Sequence, residues 1–267
     1  MKKGFLIVLG ILVLSCGQEK KPQPAGSAAN LVPEPAKALQ DAVIKYPDSA
    51  ALRMTLVDRL DSLGAAEQAL QQLNELIRKD SLNNIYWLRK ASLQQTLHDT
   101  AGALRSYRYA IRIYPSPDAM LSAANLLAEK KDSTALRICR EVDAMSPGHE
   151  YSAHAAFITG VYYARTGKSA KAMDYFEQTL LNDFHYMEAY MEKGFLLYDG
   201  GKTAAALKIF ETATRVNARY ADAWYWAGKC RERLQHAANA LKAYQQAAAL
   251  DPGLKEASAA VERLAAK

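Results

Sequence analysis

Cysteine is scarce here, three in 267 residues, and three thiols do not make the disulfide framework that staples small secreted domains. The five histidines, His98, His149, His154, His185 and His236, are scattered, with no spacing that sets two metal ligands on one helical turn and a third nearby. A phosphate-binding glycine loop, a nucleophile elbow and a paired-carboxylate motif are also missing. These absences argue against a metal, a cofactor, a small-molecule substrate and catalysis. Charge of one sign is not in excess either. The formal net charge of +6 falls to +4 without Lys2 and Lys3, too mild a balance to point to nucleic acid.

What the sequence does have is half hydrophobic residues and 23% charged ones, the composition of a folded chain. Alanine also recurs at Ala69, Ala103, Ala135, Ala172, Ala206 and Ala240, a period of about 34 residues that marks a stack of similar supersecondary units. Four residues after each stand Leu73, Tyr107, Cys139, Phe176, Phe210 and Tyr244, all able to fill a core. Twelve before each stand Val57, Ala91, Ala123, Gly160, Gly194 and Gly228. Small residues on two facing helices with a larger one between them predict tight antiparallel packing. Gly64, Gly167 and Gly201 fall where a first helix must stop, and Asp132, Ser169 and Thr203 are expected to cap the next. Pro115, Pro147 and Pro252 follow second helices.

This pattern resembles the tetratricopeptide repeat family. Gly160, Tyr163, Gly167, Ala172 and Phe176 look like its signature, and Trp224, Gly228, Ala240, Tyr244, Ala247 and Pro252 repeat it. Earlier units are weaker, with Gln94 and Leu126 where tyrosine is usual. The resemblance implies an all-α solenoid, a right-handed superhelix of helix-turn-helix repeats. About six units are expected over 50–254, starting near 50, 84, 116, 153, 187 and 221. A single helix is expected within 33–49 and a capping helix over 255–267, with Glu256, Glu262, Arg263 and Lys267 on its polar face, because the last unit must shield its apolar side.

The N-terminus predicts export. Lys2 and Lys3 precede an apolar stretch at 4–14, shorter than the ~20 residues that span a bilayer. Val13, Leu14, Ser15 and Cys16 resemble a bacterial lipobox, which implies a signal peptide over 1–15 and acylation, palmitate included, of Cys16. An ordinary cleaved signal or an uncleaved anchor is the alternative. Residues 16–32 read as a tether with no apolar periodicity, about 14 residues of which span roughly 20 Å on average. Gly17 is not the aspartate associated with inner-membrane retention, so the resemblance implies an outer-membrane lipoprotein.

In the resembling family, fixed places on each first helix face an inner groove. Carried over, they give Leu88 and Ser92, Met120 and Ala124, Phe157 and Val161, Met191, Phe195 and Tyr198, then Tyr225 and Lys229. Such an apolar surface suits a partner peptide or amphipathic helix, while Phe195 and Tyr225 have a second reading as inter-repeat core. The lysine and asparagine set that clamps C-terminal carboxylates in chaperone-binding members is absent, with Met54, Asp58, Leu88 and Ser92 in its place. Arg105, Arg108 and Arg112 share one helix face. They read as a solvated surface or, more sharply, as a contact for anionic head groups. Cys139 and Cys230 read as buried apolar residues. The expected role is a non-enzymatic, membrane-anchored scaffold in the bacterial envelope that binds protein, in its narrower form an assembly factor. An adaptor for a cell-wall enzyme, or an enzyme with an unrecognised site, is the alternative.

Overall fold

The computed structural model describes residues 32–145 and 148–266. Among them are a 3₁₀ turn at Glu34–Ala36, fourteen α-helices and no strand. After α1 (Lys37–Lys45) the helices run in pairs: α2 (Ala50–Ser62) with α3 (Ala66–Lys79), α4 (Asn84–Thr96) with α5 (Thr100–Ile113), and α6 (Pro117–Glu129) with α7 (Thr134–Met145). The later pairs are α8 (Ser152–Arg165) with α9 (Ser169–Asn182), α10 (Met187–Asp199) with α11 (Thr203–Val216), and α12 (Ala221–Arg233) with α13 (Ala237–Leu250), followed by α14 (Lys255–Ala265). Each second helix also packs on the first helix of the next pair, which makes the array a solenoid. The first helices of the six pairs start at Ala50, Asn84, Pro117, Ser152, Met187 and Ala221.

The repeated positions explain the packing. All six register alanines are fully buried, and the larger residues four places on are buried with them. Second helices keep one apolar stripe, whereas first helices carry apolar residues on several sides, since each touches its own partner and the preceding unit. At the end, α14 buries Ala257 and Ala260 and exposes Glu256, Glu262 and Arg263.

The turn inside each pair has one residue in the left-handed region. Gly64, Gly167 and Gly201 take it as expected, with φ of 72°, 75° and 74°. His98, Lys131 and Gln235 occupy the same place with φ of 58°, 60° and 63°, at a cost of about 1 kcal/mol each relative to glycine. The residue after this one is the cap. Asp99 accepts from Gly102 N at 2.8 Å, and Asp132 accepts from Thr134 N at 2.9 Å. Ser169 and Thr203 are therefore not caps: they are the first residues of their helices, one place too late, and Lys168 and Lys202 stand at the cap without a side-chain bond. Ser49, Asn83 and Ser116 cap other first helices.

Pro115 and Pro252 lie between units. Pro147, the signal segment 1–15, Cys16, the tether up to residue 31, and Lys267 lie outside the described residues. No helix among the described residues is long and apolar enough to cross a membrane.

Candidate partner-binding groove

Successive first helices open on one face where their side chains fail to close the gap. α6 and α8 pack directly on each other, whereas α10 barely touches α8. That difference decides which expected groove residues are accessible. Met120 and Val161 are shut in the core beneath the α6 and α8 contact, at 7% and 1% exposure, and Met191 is buried at 5% against Phe210 and its neighbours. Met120 and Val161 support the groove from below and do not line its surface as expected, and Ala124 is likewise fully buried, whereas Met191, though buried, still borders a cavity between α8, α10 and α12. Leu88 is half-buried beside Ala91 and Tyr107, and Ser92 is exposed. Phe157, Phe195, Tyr198, Tyr225 and Lys229 are half-buried. They pack on the core with one side and face outward with the other, so both readings of Phe195 and Tyr225 hold in part.

Two adjoining cavities lie along this aromatic run. One, of about 350 Å³, is lined by Phe157 from α8, Glu188, Met191, Glu192 and Phe195 from α10, and Tyr220, Asp222 and Trp226 at α12. The other, of about 570 Å³, is lined by Tyr198, Tyr225, Lys229, Glu232, Arg233, Tyr244 and the inward side of α14. Trp226 joins the rings of both. It meets Phe195 at 4.7 Å and Tyr198 at 5.5 Å edge-on, and stacks on Phe210 at 5.9 Å. Such pairs contribute about 0.5–1.5 kcal/mol beyond burial, so the groove wall is set before a partner arrives.

The charges differ along the face. Lys229 Nζ lies 4.1 Å from the Trp226 ring centre and within 5.8 Å of those of Tyr198 and Tyr225. It has no ion-pair partner among the described residues. Arg233 sits over Tyr198 at 4.9 Å and donates to the Tyr198 carbonyl at 3.2 Å. Tyr244 donates its hydroxyl to Glu232 Oε2 at 3.0 Å, and Arg263 reaches the same carboxylate from α14 at 2.9 Å. Burial first, then Glu232, pushes the Tyr244 hydroxyl well above its ordinary range.

At the other cavity Glu192 is held by Arg165 at 2.8 and 3.0 Å, and Arg165 also grips Glu129 at 2.8 and 3.0 Å. One guanidinium thus ties α6, α8 and α10 together. Its hydrogen bonds to Glu192, then Glu129, raise its affinity for the proton further.

Elsewhere the expected residues sit as follows. Arg105, Arg108 and Arg112 are exposed on α5 around a depression of about 240 Å³ shared with Tyr109, which stacks on Trp87 at 4.5 Å. Cys139 and Cys230 are buried free thiols in separate core clusters, and burial pushes both up to about 11. Among the described residues no group of three His, Cys, Asp or Glu side chains could hold a metal ion. Ser152 Oγ lies 3.3 Å from His149 Nδ1 and 3.5 Å from Asp143 Oδ1. With serine in the middle, that order is not the carboxylate, imidazole, hydroxyl relay of a hydrolase.

Trp226, Glu188 and Asp222 were not singled out in the sequence. The two acids occupy the second place of their units, a groove-facing place in the repeat register, which is the signal that could have found them. Trp226 stands at the sixth place, outside that set, so only its cluster with Tyr225 marks it.

A tetratricopeptide repeat family model matches residues 191–255. No curated protein matches this sequence. Among solved structures, a tetratricopeptide repeat protein from Parabacteroides merdae ATCC 43184 is 18% identical, with 86% of this chain and 90% of that one covered and a TM-score of 0.69. PilW, a type IV pilus biogenesis factor, is 19% identical over 79% of this chain and 98% of its own, with a TM-score of 0.62. Yeast Tom70 is 13% identical over 86% of this chain and 57% of its own, with a TM-score of 0.61. At these identities the likeness is one of fold, and it extends the repeat register of the matched segment through the paired helices. That segment, six helix pairs in one register and this shared fold make the chain a tetratricopeptide-type solenoid, with the family model itself matched over residues 191–255.

Proposed function

We propose that this protein is a lipid-anchored scaffold of the bacterial envelope, sorted to the outer membrane, whose groove captures a segment of a partner protein. A repeat solenoid of this family is an interaction scaffold, and that coarse role follows from the fold. The observation that carries the finer reading is the half-buried run Phe157, Phe195, Trp226, Tyr198 and Tyr225, left open on two cavities. Rings fixed on one side and accessible on the other offer apolar area with little entropy left to lose on binding. The N-terminal sequence supports the anchor: two acyl chains on Cys16 would hold the protein on a bilayer, each buried CH₂ contributing about 0.8 kcal/mol. Confinement there raises the local concentration of whatever the groove holds, which suits an assembly factor.

The test is a photocrosslinking residue placed at Tyr198 or Tyr225 in intact cells, followed by mass spectrometry. A defined envelope protein should be captured from these positions and not from Lys242, exposed on α13. Equal capture from all three positions overturns the groove reading.

A further inference from the structure

The smaller cavity differs from the rest of the face in its charge. It is lined by three carboxylates, Glu188, Glu192 and Asp222, and by no lysine or arginine, although the chain as a whole is basic. Glu192 is neutralised by Arg165. Glu188 and Asp222 are exposed and have no ion-pair partner among the described residues. Both line the same cavity as Tyr220, whose hydroxyl burial first, then Asp222 and Glu188, push upward. The same cavity is lined by the rings of Phe157 and Tyr220 and by Phe195, edge-on to Trp226 at 4.7 Å. Two carboxylates without an ion-pair partner among the described residues, in a cavity otherwise lined mostly by aromatic rings, are complementary to a cation with a flat apolar surface. A guanidinium has both properties, donating to carboxylates through its edge and stacking on rings through its face.

From this geometry we infer that the cavity between α8, α10 and α12 receives a basic side chain, arginine ahead of lysine, projecting from an extended partner peptide. Its apolar neighbours lie along Phe195, Tyr198 and Tyr225. This rests on the groove reading above and gives the partner a chemistry. The volume of about 350 Å³ suits one or two side chains and no folded domain. The adjoining cavity sets three cations, Lys229, Arg233 and Arg263, against two carboxylates, Glu232 and Glu256, and so favours a second cation less. The basic residue is therefore read at one end of the aromatic run and not along all of it.

The test pans a random twelve-residue phage library on the full chain in detergent, then measures the selected peptides by fluorescence polarisation. Enriched peptides are expected to share an arginine or lysine beside an aromatic or branched residue. Replacing that arginine by lysine should weaken binding, and replacing it by glutamine should weaken it more. The double variant Glu188→Gln with Asp222→Asn should lose roughly tenfold in affinity, with helicity intact and at most a small fall in melting temperature, since both residues are exposed but stand in the first turns of α10 and α12. Enrichment of neutral or acidic peptides overturns the inference, as does equal affinity of the double variant. Competition by spermidine as effective as by the peptide overturns it too, since any polycation would then suffice. If Phe157→Ala with Tyr198→Ala abolishes binding while the charge variant does not, the groove stands and the basic-residue inference falls. If no peptide of any charge is retained, the groove reading falls as well.

Discussion

The ring of Phe210 rests on the backbone of Gly194, so closely that a methyl group at Gly194 would stand 2.3 Å from ring atoms Cε1 and Cζ. The same relationship holds between Phe176 and Gly160, at 2.6 Å, and between Tyr244 and Gly228, at 2.8 Å. Where the second-helix residue is smaller, the place sixteen residues before it carries a side chain: Val57 stands in register with Leu73, in the same core cluster, and Ala123 with Cys139. The two positions share one volume. Ala91 opposite Tyr107 departs from the rule, and there the tyrosine hydroxyl donates to Gln95 at 2.6 Å.

Gly194→Ala should therefore destabilise the array by about 1–3 kcal/mol through overpacking, measured by chemical denaturation. Gly194→Ala combined with Phe210→Leu should recover part of that loss. A single variant as stable as the parent would show that the ring shifts freely, contrary to the packing described.

Arg165 makes a second prediction, about unequal partners. Its carboxylates differ in exposure, with Glu192 side chain at 16% and Glu129 at 46%. Solvent screens the exposed pair more, so double-mutant cycles should give about 1 kcal/mol of coupling between Arg165 and Glu192 and a few tenths between Arg165 and Glu129. Equal couplings would mean that burial does not rank the two bonds.

Much of this architecture was legible in advance because the repeat places are buried for one reason six times over. Ala69 to Ala240 specify a close helix approach whatever surrounds them. The groove was harder to read, since a place in the register gives a direction and not an exposure. Val161 and Met120 point the same way as Phe157, yet they lie under a direct contact between α6 and α8 whose closeness no single unit encodes. Ser169 and Thr203 misled for a similar reason. The left-handed turn residue fixes the cap at the next position, and one lysine displaces the hydroxyl by one place.

The buried thiols give a prediction with a definite sign. Burial holds Cys139 and Cys230 neutral and pushes both up to about 11, against an ordinary value near 8.5. The unfolded chain thus loses these protons first as pH rises. Their contribution to stability is present below about pH 8.5 and is lost between there and about 11. Tyr220 and Tyr225, raised by burial, shift stability in the same direction at higher pH. In a Cys16→Ala chain at pH 8 a thiol reagent should react only as fast as the protein opens. Rapid labelling of the native chain would contradict that burial.

Anchoring has its own test. Cys16→Ala should abolish labelling by a palmitate analogue and move the protein from the membrane to the soluble fraction. Retained labelling would remove the lipobox reading, while lost labelling with retained membrane association would point to a second contact.

Arg105, Arg108 and Arg112 are the place to look for such a contact. All three are exposed on one face of α5, none is in an ion pair among the described residues, and Tyr109, 48% exposed, lies among them stacked on Trp87. Lys90 stands over Trp87 at 5.3 Å and adds a further cation to the patch. Basic residues near an anionic leaflet contribute about 1 kcal/mol each, and aromatic rings favour the head-group layer. Reversing two of these charges replaces attraction with repulsion at the same surface. Arg105→Glu with Arg108→Glu, made in a Cys16→Ala background, should weaken sedimentation with phosphatidylglycerol vesicles and leave helicity intact. Raised salt should weaken the parent in the same way, because the attraction is screened within a Debye length. Unchanged binding by the double variant would return these arginines to the role of a solvated helix face, with Arg112 favouring the C-terminal end of α5 through the helix dipole.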